Sequence, residues 1–227
     1  MTERADRADR LADLTFVRTA YDRPGTIRSF RHLNLADASL PGIQLDGADL
    51  RDTDLDRADL SNASMVGADI SSVQLRQAKL AGVNLTGANA AFALLGGLDG
   101  YRLVATDADF HGADLGRGYF VEGTFAGVDL TGAVLPLAVF SRATLAGADL
   151  QNADLRGVLF DGSDLSGANL SGANIDGAVF TDADLTGANL SGVCWKSVPI
   201  WPSDLADVPT ETVEIEGARC APPVPDD

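Results

Sequence analysis

The sequence predicts an all-β fold, a four-sided parallel β-helix. Three observations support this: a five-residue repeat, the composition of each repeat unit, and a second period of twenty residues. Stretches such as GADLRDTDLDRADLSNAS and LSGANLSGANIDGAVF repeat every five residues, and a fixed internal period is typical of solenoids. Large apolar residues keep this frame from Phe30 to Leu85 and again from Phe110 to Leu190.

Each repeat unit has the form Ala-(Asp/Asn)-Leu-x-x, with the large apolar residue at its centre. Five residues advance an α-helix by about 500°, so a helical face would drift by about 140° per unit and could not stay buried. In an extended Ala-x-Leu segment both apolar side chains point to one side and the middle residue to the other. The remaining pair, often Ser-Gly or Thr-Gly, suits a turn.

Four such units would close one coil of twenty residues, and side chains twenty apart would then stack about 4.8 Å apart. An independent pattern supports this closure, because Phe120, Phe140, Phe160 and Phe180 are spaced by twenty. The sequence therefore predicts a core built from stacked columns of apolar side chains.

These units resemble the pentapeptide-repeat family over roughly residues 30–193, with thirty-three consecutive frame positions. The resemblance implies a right-handed quadrilateral β-helix of about eight coils, a rod about 40 Å long. We divide the chain into an N-terminal capping segment (1–28), expected to be helical, the β-helix (29–193), and a C-terminal cap with a loose acidic tail (194–227).

Both ends of the repeat carry apolar residues suited to covering it. An approximate helical stripe precedes Pro24 and favours the N-terminal helix; it comprises Ala8, Leu11, Leu14, Val17 and Tyr21. A solenoid also needs its last coil covered. The residues expected to form this C-terminal plug are Val193, Trp195, Ile200 and Trp201.

The repeat is weakest at residues 90–106, where the centres become Ala90, Leu95, Gly100 and Ala105. Leu98 and Leu103 still occupy the small inward positions. We therefore expect a continuous but thin coil. The alternative is a projecting loop that contacts a partner.

The net charge of the chain narrows the classes of partner that it can bind. The sequence has 33 acidic and 17 basic residues, a formal net charge of −16, which repels nucleic acid and anionic membranes. No apolar run approaches a membrane span, and the first fourteen residues lack the apolar core of a signal peptide. We expect a cytoplasmic protein that binds neither nucleic acid nor membrane.

Sequence motifs for chemistry are absent. His32 and His111 lie far apart without a nucleophile in matching repeat positions. The glycines are isolated turn residues and form no phosphate loop. Cys194 and Cys220 show no metal-ligand spacing. The prediction is a protein that is not an enzyme and has no cofactor and no metal. We expect both cysteines to be reduced thiols, with a disulfide between them as the alternative.

Two outward rows are candidate interfaces. One is acidic in five of its eight middle positions; these are Asp49, Asp69, Asp109, Asp129 and Asp149. The other is an apolar stripe formed by Tyr119, Val139, Leu159 and Val179. Such a stripe is either covered by a terminal segment or forms a partner or homodimer interface.

The predicted function is that of a non-catalytic protein-binding scaffold with an acidic surface. The resemblance also implies an alternative: a subgroup of the family protects DNA gyrase or related topoisomerases, giving antibiotic resistance, by presenting an acidic rod that mimics DNA. Two departures weaken this alternative. The sequence shows no C-terminal helix of the kind that dimerises that subgroup, and Asn89, Asn169 and Asn189 interrupt the acidic row.

Overall fold

The computed structural model describes Leu14, Thr15, Val17 and residues 29–203. In the latter range each side of the coil is a single-residue parallel bridge rather than a longer strand. Each bridged residue pairs with the residue twenty positions later, from Ser29↔Asp49 to Asn174↔Cys194. Four bridged sides per coil give the predicted quadrilateral cross-section.

We number the four faces by their outward, bridged residues. Face 1 runs from Ser29 to Asn189, face 2 from Asn34 to Cys194, face 3 from Ser39 to Ile200, and face 4 from Gln44 to Asp184. Corners are named by the faces they join, so corner 3–4 follows face 3 along the chain. Face 1 lies opposite face 3.

Backbone hydrogen bonds hold the coils together in the same way at successive units. The Leu35 N–H donates to the Asp54 carbonyl (2.7 Å), the Asp37 N–H donates to the Asp56 carbonyl (2.9 Å), and the Asp54 N–H donates back to the preceding coil. A fourth bond closes the corner turn, from the Ala38 N–H to the Leu35 carbonyl (3.0 Å). The fold therefore depends on the backbone and leaves the outward side chains free to vary.

The corners share one conformation. From His32 to Gly192 the second turn residue of each unit has a positive φ, the third-position geometry of a type II turn. Glycine adopts this conformation without strain, which explains why it ends so many of the units.

The outward Asp and Asn residues have a structural role as well. Each of them in residues 29–203 accepts a hydrogen bond, through Oδ1, from the N–H two residues later, the only N–H of the unit that the coil pattern leaves without a backbone acceptor. Asp54 accepts in this way from the Asp56 N–H at 3.0 Å. This Asx cap explains why the repeat favours Asp and Asn at this position.

The core consists of stacked columns, as predicted. The Phe column under face 3 has ring-centroid distances of 4.7 Å from Phe120 to Phe140, 5.7 Å from Phe140 to Phe160 and 5.3 Å from Phe160 to Phe180. Trp201 extends the column, at 5.2 Å from Phe180. These rings are parallel within 28° or less, and aromatic contacts add to the free energy gained by burial.

Residues 90–106 form a continuous thin coil and not a projecting loop, since the bridges continue through them. Where the central residue of a repeat unit is small in this coil, the central residue twenty positions later is large. A Cβ added to Gly100 would lie 2.8 Å from the ring of Phe120, so that ring fills the space left by the missing side chain. Ala90 and Ala105 likewise precede Phe110 and Phe125, which keeps the packing dense.

At the N-terminal end, Leu14, Thr15 and Val17 are helical. Val17 is buried in the core, and Leu14 packs against it. The remainder of the predicted capping segment, including Ala8, Leu11 and Tyr21, lies outside the described residues.

At the C-terminal end, the bridges continue beyond residue 193 to Ile200, but Val179↔Ile200 spans one residue more than the other pairs. Because of this extra residue, Ile200 lies in the outward row, 56% exposed, and Trp201 takes the inward position. The prediction that Ile200 belongs to the plug is wrong. Val193, Trp195 and Trp201 pack against the core, half-buried.

Cys194 is disulfide-bonded, so the prediction of a reduced thiol is wrong for this residue. That prediction depended on an assumed reducing compartment and not on geometry. Cys220 lies outside the described residues. Within the described part of the chain, no helix is long and apolar enough to cross a membrane.

Two candidate binding surfaces on opposite faces

The five predicted aspartates lie in one outward row on face 1. Asp49 bridges Asp69, and Asp109, Asp129 and Asp149 follow one another at one-coil spacing. Each uses Oδ1 for an Asx cap, which holds its carboxylate in place. The caps of the last three accept from His111 (2.9 Å), Thr131 (2.8 Å) and Gln151 (3.0 Å).

The row divides into a part with basic side chains beside it and a part without them. Arg51 binds Asp49 (Nη2–Oδ2, 2.7 Å) and approaches Asp69 (Nε–Oδ2, 3.4 Å). The hydrogen bond from Arg51 lowers the pKa of Asp49 from 3.8 to about 2. Asp109 contacts the imidazole Nδ1 of His111 at 2.8 Å.

Asp129 and Asp149 have no ion-pair partner among the described residues. Two of the three asparagines that interrupt the acidic row are hydrogen-bonded into it. The Asn169 amide donates to Oδ1 of Asp149, and the Asn189 amide donates to Oδ1 of Asn169, each at 3.1 Å. The row therefore continues as a hydrogen-bonded column, and its charge ends at Asp149.

Between positions 52 and 203 the Lys and Arg residues are confined to one side of the coil. All eight Lys and Arg residues between positions 52 and 203 belong to face 3 or to corners 2–3 and 3–4: Arg57, Arg76, Lys79, Arg102, Arg117, Arg142, Arg156 and Lys196. Faces 1 and 4 with corner 4–1, over residues 104–189, contain only acidic charges: Asp107, Asp109, Asp129, Asp149, Asp164 and Asp184. We call this surface the acidic side.

Phe92, on corner 1–2, borders the acidic side and was missed by the sequence analysis. Its side chain is 53% exposed, and its ring meets His111 edge-on at 4.6 Å between centroids. Its φ is +56°, which is unfavourable for a bulky residue. Among the described non-glycine residues with positive φ, Phe92 and Leu137 are the only ones with apolar side chains. An apolar residue at this turn position was the available sequence signal.

The predicted apolar stripe is present on face 3. Tyr119, Val139, Leu159 and Val179 bridge consecutively, and Ile200 adds a fifth member. Tyr119 is 45% exposed, and Leu137 and Val198 on the adjoining segments are 56% and 73% exposed. We call the five bridged residues the apolar row. The terminal segments that could cover this row lie largely outside the described residues.

The apolar row has a structural cost. Its side chains cannot accept a hydrogen bond, and no acceptor within the described residues takes the N–H of Val121, Ser141, Asp161 or Thr181. A typical hydrogen bond stabilises a protein by about 0.5–1.5 kcal/mol. Four consecutive missing caps favour a role for this row other than stability.

An ionic cluster lies beside the apolar row on corner 3–4. Glu122 accepts hydrogen bonds from Arg102 (2.8 Å), Tyr101 (2.9 Å) and Arg142 (3.1 Å). These donors lower the pKa of Glu122. The cluster holds two guanidinium groups at the edge of the apolar row.

The described residues contain no group of His, Cys, Asp and Glu side chains arranged to hold a metal ion. Thr53 and Ser163 are buried polar residues at inward positions. They donate to the carbonyls of Phe30 and Phe160, each at 2.7 Å. The two candidate binding surfaces are therefore the acidic side and the apolar row.

The five-residue unit, the twenty-residue coil and the capped corners define a β-helical repeat protein. The Pentapeptide repeats family model matches residues 29–67, 43–82, 68–99, 125–162 and 163–194, in eight copies. The chain belongs to the pentapeptide-repeat family. The right-handed quadrilateral β-helix of this family agrees with the bridge pattern described above.

Solved structures of similar proteins include HetL from the cyanobacterium Nostoc sp. strain PCC 7120, involved in heterocyst differentiation regulation. It is 26% identical, over 74% of this chain and 89% of HetL, with a TM-score of 0.44. A pentapeptide-repeat protein of the Arabidopsis thaliana thylakoid lumen is 36% identical over 40% of this chain and 64% of its own, with a TM-score of 0.39.

QnrB1, a plasmid-mediated fluoroquinolone resistance protein, is 20% identical over 75% of this chain and 92% of its own, with a TM-score of 0.44. No curated protein matches the sequence. These similarities concern the fold.

Proposed function

We propose that this chain is a non-catalytic protein-binding solenoid that presents its acidic side to a basic surface of a protein partner. The observation that carries the proposal is the segregation of charge: between positions 52 and 203 every Lys and Arg lies on face 3 or its two corners. Charge of one sign over an extended surface accelerates association with an oppositely charged partner.

The acidic side is preorganised for this role. Asx caps fix the carboxylates of Asp109, Asp129 and Asp149 before a partner arrives, which reduces the entropy lost on binding. Phe92 offers an exposed ring at the border of this side, and aromatic residues are common among the residues that dominate binding energy.

The test replaces Asp109, Asp129 and Asp149 together by Asn. Asparagine keeps the cap, as Asn89 and Asn169 show, so only the charge changes. The matched control replaces Asp54, Asp99 and Asp114, which occupy the same repeat position on faces 2 and 3. Proteins captured from cell extract are quantified by mass spectrometry. We expect salt-sensitive capture by the wild type and the control and loss of capture by the first triple variant. Equal capture by both triples would refute the assignment to the acidic side.

A second candidate is protection or inhibition of DNA gyrase or another type II topoisomerase by DNA mimicry. It is favoured by the six carboxylates of the acidic side, which fall within about four coils, or roughly one charge per 3 Å. Duplex DNA carries one charge per about 1.7 Å, so the acidic side has about half that density. A gyrase supercoiling assay, with and without a quinolone, tests this candidate. Inhibition or protection by the wild type that the Asp109, Asp129 and Asp149 triple variant lacks would support it. No effect of the wild type would exclude it and leave the general binding function standing.

A further inference from the structure

The apolar row on face 3 is arranged symmetrically about its middle residue. Tyr119, Val139, Leu159, Val179 and Ile200 follow at one-coil spacing, and Leu159 lies at the centre. Charged or polar residues occupy the outward positions of this face before Tyr119: Ser39, Asp59, Lys79 and Asp99. Within the described residues the row therefore begins at Tyr119, ends at Ile200 and has Leu159 at its middle.

We propose that the apolar row binds a second copy of this chain, face to face and antiparallel, with Leu159 on the two-fold axis. In this register Leu159 meets its own copy, Val139 meets Val179, and Tyr119 meets Ile200. A shift by one coil in one direction would bring Asp99 against Ile200, burying a charge against an apolar side chain. A shift in the other direction would leave Tyr119 beyond the end of the partner's row. The pattern of the row thus selects one register.

One pair of charges beside the row agrees with this register. An antiparallel two-fold arrangement places corner 3–4 of one copy opposite corner 3–4 of the other. Arg142 lies one coil before Leu159 and Asp182 one coil after it, so each Arg142 faces the Asp182 of the partner. Asp161 lies near the axis, where it faces its own copy as well as the two Arg142 residues, and on corner 2–3 Arg117 faces the Lys196 of the partner.

The overall charge of −16 would oppose self-association through most surfaces. Face 3 is the exception, because the positive charges of residues 52–203 lie on it or at its corners. A contact through face 3 leaves face 1 of each copy on the outside of the dimer, as far from the other as the fold allows. This arrangement therefore keeps the acidic sides of the two copies apart and limits the repulsion between them.

The apolar row is short, and this limits the affinity of the dimer. The row spans four coil steps, about 19 Å, and lies on a single face, whereas a standard interface buries about 800 Å² on each partner. We therefore expect a weak dimer whose population depends on concentration. The missing Asx caps along the row have an explanation in this dimer, because apolar side chains there serve the contact between copies.

Sedimentation velocity of the full chain, over about 1 µM to about 1 mM, tests the proposal. The wild type should shift from monomer to dimer as concentration rises. Leu159→Arg should raise the dissociation constant by about 100-fold or more, because it buries two like charges on the axis. Leu94→Arg is the control: Leu94 is a half-buried outward leucine at the same repeat position on face 2, and this variant should dimerise normally. A wild type that stays monomeric, or a Leu159→Arg variant that dimerises normally, overturns the proposal.

A charge exchange tests the register separately. Arg142→Asp and Asp182→Arg should each weaken the homodimer, and an equimolar mixture of the two variants should restore association, because each residue 142 then again faces a residue 182 of opposite sign. Circular dichroism confirms that each variant is folded. Failure of the mixture to associate better than either variant alone would overturn the register. This inference does not depend on the acidic-side function, which the Asp109, Asp129 and Asp149 triple variant tests independently.

Discussion

Face 1 and face 3 have the same backbone and the same register, but their outward rows act on the fold in different ways. On face 1, Asp and Asn side chains cap the corner N–H groups, so the acidic row also stabilises the coil. On face 3, the apolar row gives up these caps from Tyr119 to Val179. An outward acidic residue in this fold is weak evidence of a binding function, because it also stabilises the coil through its Asx cap. A run of apolar residues without such caps is stronger evidence of binding.

The largest expected effect concerns the core beneath face 3. Phe160 is fully buried between Phe140 and Phe180, so Phe160→Ala should lower the free energy of unfolding by about 3–5 kcal/mol. Leu150→Ala, in the column beneath face 1, should cost less, because no ring stacking is lost. Chemical denaturation of the two variants measures the difference. An equal or smaller effect of Phe160→Ala would show that the Phe column is not the stronger part of the core.

Acid should weaken the capped parts of the molecule. Hydrogen bonds lower the pKa of Asp49 from 3.8 to about 2 and lower those of Asp59 and Asp184. A lowered pKa in the folded state means that the stabilisation is complete above the ordinary value and is lost as pH falls through the folded value. The free energy of unfolding should therefore fall from about pH 4 to about pH 2.

Asp49→Asn keeps the cap but cannot titrate, and it should flatten that profile. Denaturation at a series of pH values checks both expectations. A profile as steep for Asp49→Asn as for the wild type would contradict the part assigned to the pair of Asp49 and Arg51.

At Asp129 the contribution of the Asx cap to stability can be measured separately from that of the carboxylate charge. Asp129→Ala removes both and should cost about 1 kcal/mol. Asp129→Asn keeps the acceptor for the Thr131 N–H and removes repulsion from Asp109 and Asp149, so its stability should match or exceed that of the wild type. Thermal and chemical denaturation measure the two variants. Equal losses for both would mean that the carboxylate charge matters and the cap does not.

Much of this architecture could be predicted from the sequence because one period fixes many positions. Once a coil has twenty residues, Asp109 and Asp129 must share a row, and so must Val139 and Leu159. The predicted aspartates and the predicted apolar residues therefore each lie in one row, but the acidic side omits Asp49 and Asp69, which lie beside Arg51, and adds Asp107, Asp164 and Asp184. The distribution of Lys and Arg was also present in the sequence, but it emerges only when turn residues are assigned to corners.

Other features could not be obtained from the period alone. The extra residue before Ile200 follows the last regular unit, where no frame remains to reveal a shift, so the predicted plug included Ile200. The capping role of Asp and Asn depends on the positive φ of the corners, which brings each Oδ1 near an N–H. The thin coil at residues 90–106 could be explained only from packing, since the ring of Phe120 occupies the space beside Gly100.

The central claim is that the apolar row is kept for binding and at a cost in stability. Val139→Asn tests it most directly, because Asn can cap the Ser141 N–H and is polar. The new cap should contribute about 0.5–1.5 kcal/mol, and lost apolar contacts along the row should cost about 0.2–1 kcal/mol. Denaturation and sedimentation of the same samples give both quantities. We expect a free energy of unfolding equal to or above that of the wild type, together with a weaker dimer. A variant that is less stable by more than about 1 kcal/mol and still dimerises like the wild type would contradict the claim.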